Sequence, residues 1–145
     1  MSPDIVEPAL ELQRINITRE QVDRLQEAVA AVPQIEFQTQ HDFCPGFYAR
    51  SILIPAGTVL VGKVHATDHI FMVTQGDISI TTDEGVMRVQ APFQAICKAG
   101  MKRAGFAHTD TVCVNIHITT ETDLVKLEAA LIDAPALPAP VQEKI

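Results

Sequence analysis

A mainly β fold, a single antiparallel sandwich or small barrel with a helix on either side, is what this chain of 145 residues predicts. Three observations carry the expectation. Between Ile35 and Ile118, short runs rich in Val, Ile, Thr and Phe alternate with turn signals. These are Pro-Gly at 45–46, Pro-Ala-Gly at 55–57, Gln-Gly-Asp at 75–77, Asp-Glu-Gly at 83–85, Ala-Pro at 91–92 and Lys-Ala-Gly at 98–100. Short strands at this spacing are the pattern of an all-β sandwich or barrel. The segments before and after them carry helical periodicity instead. Finally, 145 residues with 47% apolar and 20% charged side chains suit one globular domain with a real core.

The elements follow in order. Residues 1–17 are polar and Pro-bearing, with weak alternation through Leu10, Leu12, Ile15 and Ile17. They read as an extended arm with one edge strand. In TREQVDRLQEAVAAVP, Thr18 can cap a helix and Gln21 stands at the N3 position of a capping box. Val22, Leu25, Val29 and Val32 recur at helical spacing, and Pro33 stops the helix. This helix is expected to bury Val22, Leu25 and Val29 against the barrel or a partner. The barrel runs from about Phe37 to Ile118. In TTETDLVKLEAALIDA a second helix follows, with Thr120 as cap and Leu124, Leu127 and Leu131 on one face. The tail PALPAPVQEKI cannot form a helix or a central strand. The chain thus divides into an arm and helix at 1–34, a barrel at 35–119, and a helix with Pro-rich tail at 120–145.

Eighteen acidic against eleven basic residues give a net charge of −7. A general nucleic-acid binder needs a basic face, so that class is not expected. No apolar run approaches the roughly 18 residues that span a bilayer, and MSPDIVEPAL lacks the regions of a signal peptide. Cys44, Cys97 and Cys113 are odd in number and form no CxxC pair. They read as buried thiols in a reducing compartment, with Cys97 and Cys113 as small apolar fillers. No Ser-His-Asp arrangement, P-loop or glycine-rich dinucleotide turn is visible.

The stretch from Pro55 to Gly76, PAGTVLVGKVHATDHIFMVTQG, carries the chemistry. Gly57, position 63, His65, position 69 and Gly76 fall at the spacing of the first cupin motif, which this stretch resembles. The resemblance implies a double-stranded β-helix barrel. It also implies a metal held by two histidines and a glutamate of that motif, plus a histidine of a second, P-x-G-x-x-H motif. The nearest match to the second motif is Lys98-Ala-Gly100-Met-Lys-Arg103. The four ligand positions therefore hold Lys63, His65, His69 and Arg103. Cationic Lys and Arg offer no lone pair and repel a divalent cation. No tightly bound metal of the usual cupin kind is expected. Lys63 and Arg103 favour an anion such as a carboxylate or phosphate instead.

Strand alternation would place Lys63, His65, Thr67, His69 and Phe71 on one face. It would place Thr111, Cys113, Asn115 and His117 on another, opposite Val112, Val114, Ile116 and Ile118. If both faces line the barrel, His65, His69 and His117 converge. That trio would suit one divalent transition metal such as zinc, iron, nickel or manganese; the plainer reading is a hydrogen-bonded polar interior. Other residues have plain readings too. Arg103 and Asp110 are expected to pair and fix a loop, Lys102 to be a solvated charge, and His108 to sit exposed in a turn. His41 precedes the barrel and has no constellation around it.

The segments YARSILIPAGTVLVGKVHATDH and APFQAICKAGMKRAGFAHTDTVCVNIHIT also resemble small cupin-like proteins encoded by tailed bacteriophages and prophages. The matching elements are Ala49 to Thr58, Lys63, His65 and His69, Gly100, Lys102 and Arg103, and Asp110, Thr111 and His117. The resemblance implies a structural or interaction protein, virion-associated, in the host cytoplasm or virion, without conventional metal catalysis or cofactor. Its partners would be further copies of itself, at least as a dimer because cupin sheets commonly pair, and other virion proteins. Nucleic acid and membrane are not expected partners. The alternative is a small-molecule-binding or metal-dependent cupin enzyme using His65, His69 and His117. The residues leave open whether a reaction is catalysed.

Overall fold

The computed structural model of the protein describes residues 9–13 and 17–132. The tail PALPAPVQEKI, and Ile15 of the arm, lie outside the described residues. In chain order the elements are β1 (Ala9–Gln13), α1 (Arg19–Ala30), β2 (Gln38–Cys44), β3 (Phe47–Ile54), β4 (Val59–Val61), β5 (His69–Gln75), β6 (Asp77–Thr82), β7 (Gly85–Gln90), β8 (Phe93–Cys97), β9 (Ala104–Ala107), β10 (Thr111–Ile118) and α2 (Leu124–Leu131). Every strand pairing among them is antiparallel. The strands form two five-stranded sheets, ordered β1-β7-β6-β9-β4 and β2-β3-β10-β5-β8. The edge strand expected in the arm exists and pairs with β7.

Period-two patterning decides which side chains go inside. Along β3, Tyr48, Arg50, Ile52 and Ile54 are buried while Phe47, Ala49, Ser51 and Leu53 are not. The core between the sheets gathers Ile52, Ile54, Leu60, Phe71, Val73, Ile78, Ile80, Val89 and Cys113. Gly76 closes the turn before β6 with φ +97, and a Cβ there would collide with the Asp110 carbonyl oxygen. Only glycine combines that backbone with that approach. Part of the outer face of the second sheet is also apolar. Ile116 lies between Ala49 and Ile70, Ile70 pairs with Ile96, and Phe47 pairs with Ile118. Ile70, Ile96, Phe47 and Ile118 are all exposed.

Both helices dock differently from the sequence expectation. On α1 the capping box of Thr18 and Gln21 is formed, and Val22 packs with Val61 and Ala104. Leu25, however, is exposed, and its neighbour Gln26 is buried instead. Lys102 explains the rotation of that face. It is not a solvated charge: its side chain is 4% exposed, and its ammonium lies 2.6 Å from Asp23 Oδ1 and also donates to Gln26 Oε1. A buried ammonium needs polar acceptors, so the polar edge of α1 turns toward the barrel. On α2 the cap is Asp123, not Thr120; its carboxylate accepts from the amides of Val125 and Lys126. Leu127 and Leu131 are buried against Tyr48, while Leu124 is exposed. Cys97 and Cys113 are buried, but Cys44 is exposed at the end of β2, against expectation, and none of the three is in a disulfide. Among the described residues no helix is long and apolar enough to cross a membrane.

Candidate functional site

One end of the barrel is polar. The chain leaves β4 at Gly62, whose amide donates to the Arg103 carbonyl at 2.9 Å, and re-enters the sheet at His69. Lys63 and His65 therefore sit in a connection, not on the continuous strand that alternation through positions 63–71 assumed. That connection is pinned on both sides. His65 forms an isolated bridge with Ile132, the Ala66 amide donates to the Leu131 carbonyl at 2.7 Å, and the Gly100 amide donates to the His65 carbonyl at 3.0 Å.

The three histidines converge all the same. Ring centroids are 4.3 Å apart for His65 and His69, 5.1 Å for His65 and His117, and 4.6 Å for His69 and His117. His117 arrives from β10, whose inward positions are Thr111, Cys113, Asn115 and His117. It is fully buried, and both its ring nitrogens lack a hydrogen-bond partner among the described residues. Burial first, then the nearby His69 and Arg50, lowers its pKa to about 4. His69 is also pushed down, by burial foremost and by the charge of Arg103, against the opposing pull of its hydrogen bond to the Thr67 carbonyl. Both imidazoles are thus neutral near physiological pH.

Arg103 does not pair with Asp110, whose Oδ1 accepts from the Ala56 amide at 2.9 Å. Its guanidinium carbon stands 4.9 Å from the centre of the Phe71 ring, a cation–π geometry. Nη2 lies 3.5 Å from Met101 Sδ, while Nε and Nη1 are buried without a hydrogen-bond partner among the described residues. Lys63 is engaged elsewhere: Nζ lies 3.4 Å from Glu128 Oε1 on α2. Between these groups is a cavity of about 70 Å³. Lys63, His65, His69, Arg103 and Asn115 line its polar end, and Ile52, Ile54, Leu60, Phe71, Ile78 and Ile80 its apolar body.

The donor set does not fit the metal that the cupin resemblance implies. Two of the four ligand positions carry Lys63 and Arg103, and both line the cavity. Among the described residues no group of three or more His, Cys, Asp or Glu side chains is arranged to hold a metal ion, the histidine trio included.

Sequence reasoning missed Tyr48 and Arg50. Tyr48 is fully buried, its hydroxyl 2.7 Å from His41 Nδ1 and its ring stacked between those of His41, Phe43 and His117. His41 therefore lies within the barrel on β2 and has a constellation after all. The alternation of β3 could have found both residues, since Tyr48 and Arg50 share the inward register of Ile52 and Ile54. His108, expected in an exposed turn, is half-buried, with Nε2 2.7 Å from Ser79 Oγ.

With this geometry in hand, similarity to solved structures identifies the fold. The chain superposes with TM-score 0.54 and 11% identity on a salicylate 1,2-dioxygenase from Pseudoaminobacter salicylatoxidans, over 79% of this chain and 37% of that one. KdgF from Halomonas sp. matches with TM-score 0.51 and 15% identity, over 61% of this chain and 83% of that one. A cupin superfamily protein from Desulfitobacterium hafniense matches with TM-score 0.50 and 12% identity, over 74% of this chain and 97% of that one. No protein-family model and no curated protein sequence matches the chain. The expected architecture holds: a cupin jelly roll with a helix on either side.

Proposed function

We propose that this cupin-fold chain binds a small organic anion, a compact carboxylate with an apolar body, inside its barrel. One observation carries the reading: Arg103 lines the cavity, and its buried Nε and Nη1 meet no hydrogen-bond acceptor among the described residues. Buried donors without an acceptor are costly, and a carboxylate can meet them with charge-assisted hydrogen bonds. The apolar wall from Ile52 to Ile80 suits a short carbon skeleton, and the cavity has room for roughly five water-sized bodies. The neutral His69 imidazole and the Asn115 amide offer hydrogen bonds at the same end. The test is a thermal-shift and calorimetric titration with propanoate, butanoate and benzoate, with the matching amines as controls. A saturable rise in Tm with an acid, absent for the amines and lost in Arg103→Gln, supports the reading. No response to any acid, or an unchanged response in Arg103→Gln, overturns it.

The virion-associated structural role implied by the phage resemblance is our second reading. On its side stands the apolar outer face built by Phe47, Ile70, Ile96, Ile116 and Ile118. In a chain of net charge −7, this apolar patch is the surface that two copies gain most by burying against each other. A dimer by light scattering that becomes a monomer on Ile116→Glu favours self-association. A wild-type monomer at micromolar concentration removes it.

A further inference from the structure

We propose that Glu128 sets how many charges a bound acid can carry, restricting the pocket to monoanions; this rests on the carboxylate reading above. The polar end of the cavity has two cations in unlike states. Arg103 has donors with no acceptor among the described residues, whereas Lys63 already has one, its ammonium lying 3.4 Å from Glu128 Oε1. Glu128 comes from α2, outside the barrel. The helix holds it beside Lys63 by contacts independent of its charge: Leu127 and Leu131 pack on Tyr48, and the Leu131 carbonyl accepts from the Ala66 amide. Glu128 is thus an anion supplied by the protein to one of its own two pocket cations. A monocarboxylate neutralises Arg103 and leaves that pair intact. The second carboxylate of a diacid, reaching Lys63, meets the Glu128 carboxylate and must displace or oppose it. That is discrimination through a repulsive element rather than a better fit.

The experiment compares acids of equal carbon number by calorimetry: propanoate against malonate, and butanoate against succinate. In the wild type the monoacid of each pair binds more tightly. In Glu128→Gln, which keeps the size and polarity of the side chain, the diacid gains about tenfold relative to its monoacid, and the monoacid affinity is unchanged. The gain shrinks at high salt, as a charge effect must, and a packing effect would not show this. In Glu128→Gln with Lys63→Met it vanishes. An unchanged diacid-to-monoacid ratio in Glu128→Gln, or a gain that survives removal of Lys63, overturns the inference while Arg103-dependent monoacid binding still stands. Absence of any acid binding overturns both.

Discussion

Lys102 Nζ lies 2.6 Å from Asp23 Oδ1, across 79 positions of sequence. This pair and the neighbouring bond to Gln26 tie α1 to the turn before β9. Asp23 is held below the usual carboxylate range, chiefly by the Lys102 hydrogen bond. Lys102→Ala should lower stability by about 1–3 kcal/mol, the range for a hydrogen bond to a charged group whose partner is left behind. A urea titration measures it. A double-mutant cycle with Asp23→Asn should show coupling. Lys98→Ala should leave the urea midpoint unchanged, because Lys98 and Asp68 are both exposed.

His117 makes the fold sensitive to mild acid. Its pKa falls from an ordinary 6.5 to about 4 on folding. Between those values the unfolded chain takes up a proton that the folded chain refuses. Stability therefore declines as pH drops from about 6.5 to about 4, by an amount on the order of a few kcal/mol, and this group adds no further slope below that. His69 acts in the same direction. His117→Phe should flatten the decline in chemical denaturation measured across that window; an unchanged slope would refute the assignment.

Asp77 also loses stability toward acid, but at lower pH and through a partner rather than through burial. Arg88 donates to it through Nε at 2.9 Å and Nη2 at 2.8 Å. That interaction, more than the added bond from Gln90, lowers the pKa against the cost of burial. Its contribution is present above the ordinary aspartate value of 3.8 and fades as pH falls through the lower, folded value. Arg88→Met should cost about 2–3 kcal/mol near neutral pH. The gap between variant and wild type should narrow below about pH 4.

Chelation should not disturb the site. After exhaustive dialysis against EDTA, the protein should keep its Tm and its Arg103-dependent acid binding. One equivalent of zinc, iron, nickel or manganese by elemental analysis, lost on both His65→Ala and His117→Ala, would contradict the reading and restore the metal alternative.

Much of this architecture was legible in the chain because local rules and global fold agree. Turn signals bracketed the strands, Thr18 and Gln21 announced the start of α1, and alternation placed His117 inward with Cys113. What escaped depends on groups distant in sequence. Nothing beside Lys102 says that Asp23 and Gln26 will meet it, so its burial was invisible. Asp123 and Thr120 are both competent caps; the docking of Leu127 and Leu131 on Tyr48 selects Asp123. The trio was anticipated by carrying a strand through 62–68, where the chain has left the sheet. His65 reaches its neighbours because Ile132 and Gly100 hold that connection in place.

Arg103 rests on Phe71 with Met101 beside it, so its rotamer freedom is surrendered when the chain folds, before any guest arrives. The unliganded fold therefore carries a local burden for the sake of recognition. Replacing Arg103 with methionine, which satisfies the same greasy surroundings without orphan donors, should give a protein that melts at a higher temperature and recognises nothing. Robustness and selectivity pull against each other at this one side chain.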